Sequence, residues 1–385
     1  PDAVVEAAPE YSARVFHETV SFSGNSFSHD ETRLLVTSDE SGVPNVYSQP
    51  LDGGPRAALT SAADSTYAVS WFPNDDRFLY MADQGGNELD HLWVEETDGS
   101  ARDLTPGETL KASFGGWSGD DRFFYVQTNE RNPQAFDVYR YATDGYERER
   151  VFENDGRFFP GPVSRDGRWL ALMEMISNAD SNVWIAELAS GRLTNVTPHE
   201  RAVQHGIATF TPDSEELYYW TDEHGEFRQV WSYDLESGER GPVVATDWDV
   251  SSLTFSESGR YRVVAVNADA STEVTVLDTE TGEEVDVPGV PAGDLSTVRF
   301  SESEAQAAFY VVSDRAPANL WVWQVGGEEP ARRLTDSLNP EIDPDHLVAS
   351  EVIRYDSYDG LEIPAIQWRP LQASAETPVP ALVWV

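Results

Sequence analysis

The residues best placed to do chemistry lie in Asp83-Gln84-Gly85-Gly86-Asn87-Glu88. Asp83 and Glu88 flank two glycines that accept positive φ, so the loop can bend its carboxylates and the Asn87 amide toward a cation or a free amino group. The same composition also builds an ordinary tight polar hairpin, which is the plainer use of these residues. Glu95-Glu96, Glu215-Glu216, Glu283-Glu284 and Glu328-Glu329 resemble an amino-terminus clamp, but a chain with 68 acidic residues produces such pairs by composition alone. The seven histidines form no His-Glu-x-x-His or other ligand spacing, and no glycine-rich phosphate loop is present, so neither a metal nor another cofactor is expected. Gly116-Trp117-Ser118-Gly119-Asp120 and Gly24-Asn25-Ser26-Phe27-Ser28 both miss the Gly-x-Ser-x-Gly nucleophile pattern, which leaves no catalytic residue to assign.

The elements that carry these residues repeat. Pro162 to Thr197 reads as four short strands separated by Asp-Gly, polar and Ser-Gly turns. A sheet that small cannot bury its own faces and needs copies of itself as neighbours. Aligning on the residue before the second strand gives Arg33, Arg77, Arg122, Arg168, Glu216, Arg260 and Gln306, at steps of 44, 45, 46, 48, 44 and 46 residues. An apolar strand follows each anchor, as in Asn45-Val46-Tyr47, His91-Leu92-Trp93-Val94 and Asn319-Leu320-Trp321-Val322. This period predicts an all-β fold, a seven-bladed β-propeller of four-stranded blades. The blades are expected to keep their own strands, with the first opening near Val20 to Ser23 and the seventh ending at Arg332-Arg333-Leu334, so the ring closes by packing. The tryptophans on predicted strands, among them Trp71, Trp169 and Trp323, are expected in the cores between sheets.

After Thr335 the repeat stops. Residues 336–350 read as a linker containing Pro340 and Pro344, Glu351 to Ser357 and Leu361 to Trp368 as two strands joined through Tyr358-Asp359-Gly360, and Pro380 to Val385 as an apolar strand of the kind buried in a parallel sheet. Val352 to Pro364, then Arg369-Pro370, then Pro380-Ala381-Leu382-Val383-Trp384-Val385, resembles the entry into the α/β-hydrolase domain of prolyl oligopeptidase family serine peptidases, in the acylaminoacyl-peptidase and dipeptidyl-aminopeptidase branch. The repeat sets a propeller over 17–335, after a lead-in over 1–16 and before a linker over 336–350, and the resemblance implies the first strands of a truncated α/β-hydrolase domain over 351–385. It also implies that a Ser nucleophile with its Asp and His lies beyond Val385, that the propeller gates access of short peptides to it, and that Asp83, Asn87 and Glu88 face substrate or the interdomain cavity. The competing readings are a free-standing TolB-like propeller that binds protein or peptide, and a propeller enzyme working inside its own channel.

The composition adds a constraint on the environment. With 26 basic residues, of which only Lys111 is a lysine, the formal net charge is −42, spread over every blade. No Lys/Arg stripe is available for nucleic acid, and no run approaches 18 apolar residues, so neither nucleic acid nor membrane is an expected partner. A cytoplasmic, halophilic protein is expected, because molar salt shortens the screening length to ~3 Å and relieves the self-repulsion. The unfolding midpoint should therefore fall as salt is lowered toward about 0.1 M, where the screening length grows to ~10 Å and repulsion reaches farther, and recover in molar salt. A midpoint that does not respond to salt would remove the argument.

Overall fold

The computed structural model describes residues 9–384. These residues form seven four-stranded antiparallel sheets, each built from strands consecutive in the chain, and one further two-stranded hairpin. Every anchor either begins the second strand of its blade, as Arg33, Glu216 and Gln306 do, or immediately precedes it, as Arg77, Arg122, Arg168 and Arg260 do. The innermost strands are Phe22–Phe27, Thr66–Trp71, Ala112–Trp117, Phe159–Val163, His205–Phe210, Asp249–Phe255 and Asp294–Phe300. Residues 1–8 of the expected lead-in, and Val385, lie outside the described residues.

The turn before each anchor is built by side-chain chemistry that recurs with the blades. The hydroxyl oxygens of Ser28, Ser118, Ser164, Thr211, Ser256 and Ser301 each accept the backbone N–H five residues on, at 2.9–3.3 Å. In blades 1, 3, 4 and 5 the same hydroxyl donates to Asp30, Asp120, Asp166 or Asp213 at 2.6–2.7 Å. Such local side-chain bonds shape the turn from residues within five positions of one another. Blade 2 has Phe72 at this position and instead holds its turn through the Arg77–Asp75 ion pair at 2.8 Å.

Seven apolar layers fill the gaps between sheets. Leu35 and Val46 pack with Trp71 and Phe78 between blades 1 and 2, and Phe72, Leu79 and Leu92 pack with Phe124 and Tyr141 between blades 2 and 3. Fully burying one such leucine contributes roughly 1.5–3 kcal/mol relative to leaving it in water. Trp71, Trp169 and Trp323 are buried in these layers.

Blade 1 meets blade 7 without exchanging a strand. Phe22, Leu34, Val36 and Tyr47 pack on Ala308, Tyr310, Leu320 and Val322. The Tyr310 hydroxyl donates to the Gly24 carbonyl at 2.7 Å, the Asn25 amide donates to the Thr297 and Ala308 carbonyls at 2.6 and 3.1 Å, and the Glu31 carboxylate accepts the Ser303 N–H at 2.6 Å. The segments outside the ring add to the seam. The Val20 N–H donates to the Ser337 carbonyl at 3.0 Å, Asn339 donates to the Val15 carbonyl at 2.9 Å, and Tyr11 bonds His346 at 2.6 Å. Residues 336–346 thus pack against the entry to blade 1.

The tail departs from expectation in one place. Ser350–Asp356 and Glu362–Trp368 pair in register from Ser350↔Trp368 to Asp356↔Glu362, as the sequence predicts. Residues 380–384 form no strand, and Leu382 and Trp384 are exposed. Among the described residues no neighbouring strand offers its N–H and C=O groups to this stretch, and an isolated strand has nothing to hold its backbone flat.

A buried histidine pair sits between blades 4 and 5. The His205 ring is 4.9 Å from that of His199 and neither of its nitrogens has a partner. Burial, followed by repulsion from His199, pulls its pKa down to about 4. Burial also pulls on His199, but hydrogen bonds to Asp180 and to the Thr197 carbonyl, each 2.8 Å, outweigh it and raise that pKa. A histidine held neutral stabilises the fold fully above its unfolded pKa of about 6.5, and this is lost as pH falls toward 4, on the order of 3 kcal/mol. His199 opposes this, since its raised pKa favours the fold at low pH. Between pH 6.5 and 4.5 the melting temperature should fall further for the wild type than for His205→Phe; parallel curves would reject the assignment.

Candidate functional site

Alternating strand direction gives the ring two unlike ends. Turns between first and second strands lie at one end, and hairpins between second and third strands at the other. The Asp83–Glu88 loop joins Phe78–Ala82 to His91–Glu95 and so belongs to the hairpin end. The two-stranded tail docks at that same end, on blades 6 and 7. Asp314, in the hairpin of blade 7, accepts the Ser350 N–H and hydroxyl at 2.8 and 2.7 Å and the Trp368 indole N–H at 2.7 Å. These bonds, the Ser350 N–H foremost, hold its carboxyl below the usual carboxylate range. Arg354 pairs with Asp269 at 2.6 Å. Asp269 and Ala270 both take positive φ, 48° and 67°, in a two-residue turn that favours Asn-Gly. Strain accepted there aims the carboxylate at the tail.

Within the Asp83–Glu88 loop the three polar residues do different work. The Asp83 carboxylate accepts the Glu88 N–H at 2.9 Å, and the Asn87 side-chain oxygen accepts the Leu89 and Gln84 N–H groups at 3.0 and 3.3 Å. Asp64 fixes the loop from outside by accepting the Gly85 N–H at 3.1 Å. Asp83 and Asn87 are therefore occupied by the loop itself. Glu88, held at φ 58°, keeps an exposed carboxylate with no partner among the described residues. The four acidic pairs are not brought together, since they sit on blades 2, 5, 6 and 7. Among the described residues no cluster of three His, Asp or Glu side chains is placed to hold a metal.

The second feature is the channel, which a propeller implies but whose lining residues the sequence did not single out. A cavity of about 760 Å³ touches the innermost strands of all seven blades. Each of those strands carries a register shift against its neighbour, between residues such as Ala68 and Ser70 or Ser296 and Arg299. Such bulges re-aim side chains, here toward the axis. At the turn end, Arg165 of blade 4 pairs with Glu257 of blade 6, reaching past blade 5 across the mouth. Glu257 first of all raises the pKa of Arg165, while burial, then Glu302 and Glu257, raise that of Asp121 beside them. The mouth is thus acidic and spanned by one ion pair.

A seven-bladed propeller bearing a docked β-hairpin on one face defines the class. The chain belongs to the prolyl oligopeptidase family: residues 60–317 match the family model described as "Prolyl oligopeptidase, N-terminal beta-propeller domain". It is similar to dipeptidyl aminopeptidase BIII of Pseudoxanthomonas mexicana, with 25% identity over 291 residues that make up 70% of this chain and 42% of that protein. Among solved structures, a puromycin-hydrolyzing peptidase of Mycobacterium tuberculosis superposes with a TM-score of 0.72 at 15% identity, over 98% of this chain and 62% of the other. Prolyl oligopeptidase B from Galerina marginata, bound to a 25mer macrocyclization substrate, gives 0.69 at 15% identity, over 94% and 57%. The structural likenesses establish the fold, and the chain spans less than two thirds of the length of each of these proteins.

Asp314→Ala should free the tail. Hydrogen exchange is expected to accelerate over residues 350–356 and 362–368 and to stay unchanged in blade 4. Equal protection in both proteins would show that the hairpin does not depend on this carboxylate.

Proposed function

We propose that this propeller admits and selects short peptides for a serine peptidase domain of the α/β-hydrolase type, carrying the Ser, Asp and His, outside these residues. The observation that carries the reading is the apolar surface at the hairpin end. Val352, Ile353, Tyr355, Ile366 and Trp368 of the tail are exposed, and so are Tyr67, Phe159, Met175 and Ile176 at the same end of blades 2 and 4. Exposed apolar area gathered at one end marks a surface that another body covers. The family membership supports a hydrolase domain as that body, and the related dipeptidyl aminopeptidase supports a peptide as the substrate.

The residues divide accordingly. Glu88 is the group of the Asp83–Glu88 loop left free to meet a substrate amino terminus, with Asp83 and Asn87 setting its position. The Ser-His pair of the covering domain would perform acyl transfer, with backbone donors stabilising the oxyanion. The channel and the face restrict entry to short or unfolded chains. The acidic surface fits an enzyme working in high salt.

The test is the product of the complete reading frame, assayed in molar salt on peptides of rising length. Short peptides should be cleaved and folded proteins spared, and Glu88→Gln should raise KM several-fold for substrates with a free amino terminus while leaving kcat and acetylated substrates unaffected. A reading frame that stops after Val385, or a full product without peptidase activity, would leave the propeller as a binding scaffold.

A further inference from the structure

The innermost strands can be compared position by position by counting back from the last residue before each turn. Two residues before Ser28, Phe72, Ser118, Ser164, Thr211, Ser256 and Ser301 stand Ser26, Ser70, Gly116, Pro162, Thr209, Thr254 and Arg299. All seven line the channel cavity, so they form one level of it. Six blades place a small residue there, and the seventh places an arginine. Arg299 follows the bulge that begins at Ser296, where Thr297 is held at φ 53° with its carbonyl accepting from Asn25 of blade 1. The strand is therefore fixed on both sides of the turn that directs this side chain inward.

What surrounds Arg299 is unusual for this molecule. In a chain with 68 acidic residues, the Arg299 side chain has neither an ion pair nor a hydrogen bond among the described residues. The acids that reach the cavity, Asp121, Glu257 and Glu302, lie in the turns at its mouth, and Glu257 is taken by Arg165. No carboxylate supports the Arg299 guanidinium, whose pKa is lowered by desolvation alone. Its side chain is nevertheless wetted by the channel. The rest of the level adds no second charge: the Ser26 and Ser70 hydroxyls bond each other and the Trp71 backbone, and that of Thr209 donates to the Phe210 carbonyl, which leaves the Thr254 hydroxyl.

We propose that Arg299 is an anion site at the waist of the channel, taking one small monovalent anion, either a carboxylate or a halide. A guanidinium is weakly hydrated and presents paired N–H donors that match a carboxylate, so binding there removes an uncompensated charge from a partly desolvated space. An isolated cation behind an acidic mouth also discriminates by sign. An anion that passes the mouth finds a single place to rest, whereas a cation is held at the rim. The inference concerns the channel of this chain alone and stands or falls independently of the peptidase reading.

The test uses ³⁵Cl linewidths of the folded chain at fixed ionic strength. The wild type should broaden the chloride signal, Arg299→Gln should lose that excess, and Arg299→Lys should keep most of it. Thr254→Glu places a carboxylate at the same level on the neighbouring blade and should abolish the excess with Arg299 intact, which covers the case in which Arg299→Gln does not fold. Displacement of chloride by trialanine but not by trialanine amide would assign the site to a peptide carboxylate. Displacement by acetate, with trialanine ineffective, would assign it to small free anions. Equal linewidths in the wild type, Arg299→Gln and Thr254→Glu would overturn the proposal.

Discussion

A ring of sheets has to close, and here it closes with no strand shared between its ends. The seam between blades 1 and 7 therefore rests on side chains: Leu34, Val36 and Tyr47 against Ala308, Tyr310 and Leu320 for area, and Tyr310, Asn25 and Glu31 for direction. Area alone would let two twisted sheets slide. The buried hydrogen bonds set the register, because moving either sheet would strand the Asn25 amide or the Tyr310 hydroxyl in a dry layer. The segments at both ends of the chain then bind across the same seam, with Val15 and Val20 meeting Asn339 and Ser337. What precedes and follows the ring in sequence is thereby made part of its closure.

Closure brings the turns that begin each blade into a second ring. In six blades Ser or Thr at the start of the turn settles its local geometry, and in three of them the residue held at positive φ within the turn turns its side chain to the preceding blade. Glu31 reaches Ser303, Glu304 reaches Ser258, and Ser214 accepts the Asp166 N–H. The acidity of the protein is turned to use here, as carboxylates accept backbone N–H groups that the turns leave open. Other acids of these turns crowd the channel mouth, where burial, then Glu302 and Glu257, raises the pKa of Asp121.

The two ends of the ring divide the labour. The hairpin end exposes apolar side chains among its charged loops, carries the docked tail and holds Glu88 free, while the turn end is acidic and narrowed by Arg165 and Glu257. Nothing in strand propensity requires this division. It follows from the antiparallel meander, which sends all connections of one kind to the same side, so that a composition bias in one class of loop becomes a property of a whole face.

The sequence by itself determined the number of blades, the position of each second strand and the tail hairpin, because these rest on local chemistry: turns rich in Ser, Asp and Gly, period-two apolar runs, and a repeat that recurs within four residues of a constant step. It also singled out the Asp83–Glu88 loop, although only the structure separated Glu88 from Asp83 and Asn87 by showing which side chains the loop's own backbone consumes. The tertiary structure alone decided the rest. Arg299 in blade 7, Arg165 in blade 4 and Glu257 in blade 6 become neighbours in one channel because ring closure stacks equivalent positions of distant repeats at one height. Aligning the repeats by their turns shows Arg299 as the odd residue among six small ones, but which of those positions faces the axis is set by the bulges. For Pro380 to Val385 the apolar pattern promised a strand, and a strand forms only where a neighbour supplies the other half of its hydrogen bonds.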